Sequence, residues 1–567
     1  MVGKKKSAVI PKTKCITAVA VIVAAALFLW RMSGTELVLS ETGVHPLRLV
    51  FFLCVLFLVP VCACILVPEI PPVHNCLSAM GGSASSIRRS ESGQNPEGSR
   101  AAKPLSLFVY AFLFFYALFQ MSYYESYVGR TPDEIQHISY IAYLEDKDVL
   151  IPDFTEMTYA VLLPETSALD GVWRLDWTND EVNYLGHPPL YYQIMRLANA
   201  IQFESDGEVC VVNIARLRRF SMGIAALALL LIFYIGFTRL DQKKPCLHLL
   251  YGMIVTSVPM MLYGASGISN DTLALLTGTV YFGGILRFAE QKRDWKTYLL
   301  IAVGGTASLL TKTTAGLMTA MASVVVVAVC LIREKSWKCL FHRSFFVTLP
   351  IYLPAVLYFL YIYKQYGTFQ PSLANFVSEA YFQESAFYVP EEERAVMTLY
   401  QYFLYYKREF FGSWSGIASH IALYKPTRLY SPDRIALLSI WILPAVSAFF
   451  FWRKKDSRGI ACTGLYAAAL LAVAMQFVNA AGGFYSRGYM GGFQSRYYIC
   501  VIAAFGLSIA RLFERGFTDS QASQALPDGT LQKNRQTLLS VLVTVFVLLL
   551  FYENFIYFLL NFTEYLT

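Results

Sequence analysis

The sequence predicts an all-α polytopic membrane protein with about thirteen transmembrane helices and two long external loops carrying interfacial helices. Three observations predict it. Of the 567 residues, 56% are hydrophobic and only 15% charged, a balance unlike that of ordinary soluble domains. The apolar residues gather into runs long enough to cross a bilayer. Lys and Arg recur in alternate connectors, the bias that sets orientation.

The runs lie at roughly 16–30, 47–67, 105–121, 212–237, 247–263, 270–288, 298–310, 314–332, 345–363, 435–452, 459–478, 493–513 and 537–560. Lipid cannot satisfy free backbone polar groups, so each must be helical. The N-terminal tail carries Lys4, Lys5, Lys6, Lys12 and Lys14 with no acid. Further basic connectors hold Arg239/Lys243/Lys244, Arg287/Lys292/Arg293/Lys296, Arg333/Lys335/Lys338/Arg343 and Arg453/Lys454/Lys455/Arg458. A cytosolic N-terminus follows, with loops 122–211 and 364–434 outside. The formal charge of +8 is mostly this inside bias and gives no sign of nucleic-acid binding. The Lys-rich start reads as a retained anchor, since Trp30-Arg-Met-Ser-Gly fits no signal-cleavage pattern. The eleven cysteines are scattered and suggest neither a disulfide framework nor a zinc site.

Four regions are expected. Residues 1–77 hold two N-terminal spans. Residues 78–104, rich in Ser, Gly and Arg, read as a flexible cytosolic linker. Residues 105–513 form the main module with both external loops, and 514–567 a cytosolic connector and the last span. The first loop is unusually acidic, with sixteen Asp/Glu against four Lys/Arg from Ser122 to Val211. Ile135, Ile138 and Ile141/Ala142 repeat with a helical period, and Leu190–Ile201 should also be helical. In the second loop, Ala395–Phe411 reads as an interfacial helix, and its many tyrosines suit a bilayer surface.

Five strings could carry chemistry. Thr131-Pro-Asp-Glu134 heads the first loop. Thr131 fits a helix N-cap, Pro132 the first helical position and Glu134 the capping-box partner. That occupies Glu134 and leaves Asp133 to face a substrate. His137 lies one turn on, within reach of either carboxylate. Gly186-His-Pro-Pro-Leu-Tyr-Tyr192 places His187 at a rigid turn into a helix. Ser269-Asn-Asp-Thr272 opens a span, with Asn270 or Asp271 as its cap. Thr311-Lys-Thr-Thr314 and Gly491-Gly-Phe-Gln-Ser-Arg-Tyr-Tyr498 place Lys312 and Arg496 on the outer face, where cations are disfavoured. Such cations usually snorkel, but two on that face suggest a bound anion such as a lipid phosphate.

Taken in order, these strings resemble the polytopic glycosyltransferases of the GT-C fold, among them protein O-mannosyltransferases and the aminoarabinose transferases of lipid A. The resemblance covers about Leu105–Arg511. It implies an inverting transfer from a polyprenyl-phosphate sugar donor to a cell-envelope glycan, lipid or protein acceptor. That transfer would occur on the extracytoplasmic side of the plasma membrane. The family's catalytic carboxylate after the first module span falls here on Asp133 or Glu134. Candidate substrate contacts are His137, His187, Tyr191, Asn270, Asp271, Lys312 and Arg496. No cofactor is required, although a divalent metal could share the cations' role; no ligand cluster with metal spacing compels one. The two extra N-terminal spans depart from the family pattern. An O-antigen-type polymerase or ligase is the nearest alternative within membrane enzymes. A lipid or glycan transporter fits less well, because the span centres are nearly free of charge, Glu553 excepted.

Overall fold

The computed structural model describes residues 39–40, 43–44, 96–127, 131–163, 171–204, 207–337, 341–414, 432–454, 456–522 and 529–551. The two N-terminal spans and most of the linker therefore lie outside the described residues. Among those described, seven helices are long and apolar enough to cross a membrane, or eight if Pro245–Thr256 and Pro259–Ser266 form one span. The expected spans at 298–310 and 435–452 appear as the helices Trp295–Thr311 and Pro432–Lys454. The thirteenth run overlaps Gly529–Phe551. The chain is a multi-pass, predominantly helical protein, without a fixed count of thirteen spans.

The chain folds as two compact units. The first takes Met1–Phe119, Gly236–Ser257 and Ala510–Thr567. In it, the Tyr110 hydroxyl meets Nδ1 of the buried His248 at 2.9 Å. The second takes Gln120–Ile235 and Val258–Ile509 and holds every candidate residue named above.

Within the second unit, the helix Asp271–Ala289 packs most extensively against Trp295–Thr311 and also meets the 3-10 segment Ser495–Val501. Small residues permit that approach, as is usual between membrane helices. A Cβ at Gly278 would lie 2.7 Å from the Cys500 carbonyl oxygen, and one at Gly304 would lie 2.4 Å from the Tyr281 nitrogen. The close approach through Gly278 brings the Asp271 helix and the Arg496 segment to one place.

The first loop departs most from expectation. Helix Glu134–Lys147 is present, but the loop also folds a four-stranded antiparallel sheet. Its centre is Val172–Asp176 paired with Val209–Asn213; Val161–Leu162 and Ile201–Glu204 lie outside them. Trp173, Leu175, Cys210 and Val212 alternate inward, the period of a strand with one buried face. They share a core with Ile138, Tyr140 and Ile141 of the helix. The helix expected over Leu190–Ile201 stops at Arg196, and Ile201 starts a strand. The helix expected from Ala395 begins instead at Leu399, because Thr398 and Gln401 form a capping box there.

Candidate functional site

The capping expected at Thr131 is replaced by another arrangement. The helix begins at Glu134, with Asp133 as its N-cap at φ 61° and ψ 16°. A non-glycine residue is uncommon in this left-handed region, although Asp is among those that tolerate it best. Thr131 is buried, and its hydroxyl has no hydrogen-bond partner. It packs so tightly on Gly267 that a Cβ there would lie 2.1 Å from the Thr131 oxygen. Glu134 still reaches back to accept the Thr131 N–H at 3.3 Å. Its larger task is a buried fork with Arg218: Nε donates to Oε1 at 2.9 Å and Nη2 to Oε2 at 2.7 Å. The Ile268 N–H donates to Glu134 Oε1 as well, at 3.1 Å. Glu134 thus joins three segments and does not line the cavity described next.

Asp133 does line it. The cavity measures about 880 Å³, and Asp133, Asp271, Lys312 and Arg496 are among its walls. Asp133 Oδ2 accepts from Arg496 Nη2 at 2.6 Å, and Oδ1 accepts from the Tyr184 hydroxyl at 2.5 Å. Lys312 Nζ donates to Asp271 Oδ1 at 2.5 Å, and Arg496 Nε lies 3.9 Å from Asp271 Oδ2. Lys312 also sits over the Tyr497 ring, 4.3 Å from its centroid, a favourable place for a cation. The side chains of Lys312 and Arg496 are only 6% and 7% exposed. These are walls of a built site, unlike cations that snorkel to solvent.

The local structure explains how each arrives. Lys312 is the extended residue between helices Trp295–Thr311 and Thr313–Glu334, with φ −154° and ψ 122°. Asp271 opens its helix, where a carboxylate suits the positive end of the dipole. Asn270 donates from Nδ2 to the Thr311 carbonyl at 3.4 Å, tying that helix start to the Lys312 break. Arg496 lies in the 3-10 segment Ser495–Val501.

His137 and His187 line the same cavity, their rings stacked with centroids 6.3 Å apart. His137 Nδ1 meets the Tyr192 hydroxyl at 2.9 Å, in place of the expected carboxylate contact. The His187 carbonyl accepts from the Tyr140 hydroxyl at 2.8 Å. Burial pushes the His137 imidazole down to about 3, with Asp133 acting in the opposite direction. Burial, reinforced by Lys312, pushes His187 down to about 4. Both rings are therefore neutral at pH 7, and the charges paired beside them are Asp133 and Asp271 against Lys312 and Arg496, with Glu181 and Glu384 elsewhere on the cavity wall.

Between about pH 6.5 and pH 4 the unfolded chain binds protons that these folded imidazoles refuse, so stability rises with pH across that window. The thermal midpoint of the detergent-purified protein should fall on acidification through that range. His137→Gln combined with His187→Gln should flatten the slope. An unchanged slope would show that other groups dominate.

Tyr191 is not brought to the cavity. It is fully buried in the core, with its hydroxyl 3.2 Å from Ser221 Oγ. Asn270 is buried and lines the wall. Sequence reasoning did not reach Tyr184, Arg218 or Gln494. Arg218 lies near the start of an apolar run that follows an acidic loop, where a cation has no local partner in the sequence. Tyr184 stands two residues before Gly186-His-Pro-Pro-Leu-Tyr-Tyr192. Among the described residues, no group of three His, Cys, Asp or Glu side chains could hold a metal ion.

No protein-family model matches the chain, and no curated protein matches it by sequence. Two solved structures of ArnT from Cupriavidus metallidurans are similar to it in fold. The apo structure is 13% identical with a TM-score of 0.40, covering 81% of this chain and 77% of that one. The structure bound to undecaprenyl phosphate is also 13% identical with a TM-score of 0.40, covering 80% and 76%.

Proposed function

We propose that this chain is a membrane glycosyltransferase that moves a sugar from a polyprenyl-phosphate donor to an acceptor hydroxyl. The acceptor is a cell-envelope glycan, lipid or protein on the extracytoplasmic side, and the N-terminus is cytosolic. One observation carries the reading: a carboxylate at a strained helix start shares a cavity with two buried cations.

The acceptor oxygen attacks the anomeric carbon from the face opposite the phosphate. Its bond to carbon forms as the carbon–oxygen bond to phosphate breaks, inverting the centre. Asp133 takes the acceptor proton, a contribution of roughly 10²–10⁴-fold for a positioned base. The lipid phosphate departs with an added negative charge, which the nearly buried Lys312 and Arg496 stabilise. The donor phosphate competes with Asp133 for Arg496. Donor binding therefore leaves the carboxylate with Tyr184 and makes it a better proton acceptor. A divalent metal could share this role with the two cations.

The test is transfer of labelled sugar from undecaprenyl-phosphate hexoses and pentoses by the purified protein. Lys312→Met should lower transfer by about 10²–10³-fold, with melting recorded to confirm folding. A folded Lys312→Met variant with native transfer would remove Lys312 from the phosphate site. Activity with a lipid-diphosphate glycan instead would favour a polymerase or ligase.

A further inference from the structure

Gln494 is 6% exposed and lines the cavity, yet its Oε1 is buried without a hydrogen-bond partner. A buried carbonyl left unmet is costly, and native proteins seldom leave one so. Its backbone is firmly held. Gln476 Nε2 donates to the carbonyls of Gly492 at 2.8 Å and Gln494 at 3.3 Å, while Gln476 Oε1 accepts from the Tyr498 hydroxyl at 2.7 Å. On the other side, the Ser495 N–H donates to Ser413 Oγ at 2.9 Å. Gln476 thus has both ends of its amide satisfied, and Gln494 does not.

Two residues on, Arg496 Nε is also buried without a hydrogen-bond partner. The two unmet atoms are of opposite kind. Arg496 Nε is a donor and needs an acceptor such as a phosphate oxygen. Gln494 Oε1 is an acceptor and needs an O–H or N–H. A dianionic lipid phosphate meets only the first need, whereas a glycosyl phosphate brings both groups on one molecule.

We propose that Gln494 is a specificity-determining residue that accepts a hydrogen bond from a hydroxyl or amine of the glycosyl group being transferred. The inference rests on the transfer reading above. A site built to bond a substrate hydroxyl discriminates strongly against ligands that lack it, because its own polar group is then left unpaired.

Gln494→Met keeps the side chain's length and removes the unmet oxygen. Binding of undecaprenyl phosphate and of undecaprenyl-phosphate hexoses in gluco, manno and galacto configuration is measured on the full chain in nanodiscs. Wild type should bind at least one hexose derivative more tightly than undecaprenyl phosphate. Gln494→Met should lose roughly tenfold or more of that derivative's affinity. It should bind undecaprenyl phosphate as wild type does, and should melt no lower when ligand-free. If wild type fails to bind undecaprenyl phosphate, the transfer reading falls and takes this inference with it. If it binds but the sugar adds nothing, or the variant keeps the sugar's gain, only the inference is overturned. A variant that melts lower and loses both ligands equally also overturns it, by making Gln494 a packing residue.

Discussion

Asp133→Asn is expected to abolish sugar transfer, by about 10²–10⁴-fold, while leaving the protein folded. Asn suits this position because it tolerates the left-handed backbone at φ 61° nearly as well as Asp. Its amide can still accept from the Tyr184 hydroxyl, as Asp133 Oδ1 does at 2.5 Å. Arg496 loses its 2.6 Å acceptor and shares the Asp271 carboxylate, 3.9 Å away, with Lys312, so a lower melting temperature is expected and folding is recorded beside activity. Ala would be a poorer test, since it lacks both the backbone tolerance and the acceptor. What Asn cannot do is take the proton from the attacking hydroxyl. Transfer from an undecaprenyl-phosphate sugar by the purified variant is the measurement. Full activity would falsify the assignment and move attention to the other carboxylates at the cavity wall, Asp271, Glu181 and Glu384.

How far the sequence reached follows from the range of each signal. Apolar runs are local and long, so most helices among the described residues were legible with small errors at their ends, although the run at 247–263 is broken between Pro245–Thr256 and Pro259–Ser266. The strings around Asp133, His187, Asp271, Lys312 and Arg496 were legible for a related reason: each marks the end of an element. All five residues line one cavity. The sheet was hidden because its strands are only two to five residues long. The alternation in Val172–Asp176 and Val209–Asn213 lay in an acidic loop where only the helical patterns at Ile135–Ala142 and Leu190–Ile201 were assigned. Partner choice was the least legible feature. Thr131-Pro-Asp-Glu134 has the pattern of a capping box, yet Glu134 is claimed by Arg218, eighty-four positions away. A tertiary ion pair displaced the local cap, and the helix start moved two residues.

That displacement changes what Glu134→Gln should do. As a cap alone, Glu134 would contribute about 0.5–2 kcal/mol and Gln could replace it. As the partner of Arg218 it cannot be replaced so cheaply. Both side chains are nearly or wholly buried, at 0% and 9% exposure. Arg218 Nη1 donates to the Glu125 carbonyl at 3.2 Å, and the guanidinium lies 5.3 Å from the Trp173 ring centroid. Neither contact neutralises its charge, and the Glu125 carboxylate attracts it more weakly than Glu134 does. Removing one partner of a buried pair leaves a poorly compensated ion, typically at about 3–5 kcal/mol. Glu134→Gln should therefore melt well below wild type in the same detergent, and Arg218→Met should be destabilised too. The double variant, with neither charge of the pair left behind, should be less destabilised than the sum of the two, a coupling that a double-mutant cycle reads directly. Native melting in Glu134→Gln would return Glu134 to a capping role. Because Glu134 does not line the cavity, the folded fraction of Glu134→Gln should transfer sugar at close to the native rate. Asp133→Asn should differ in kind, with the reaction lost even in the fraction that remains folded.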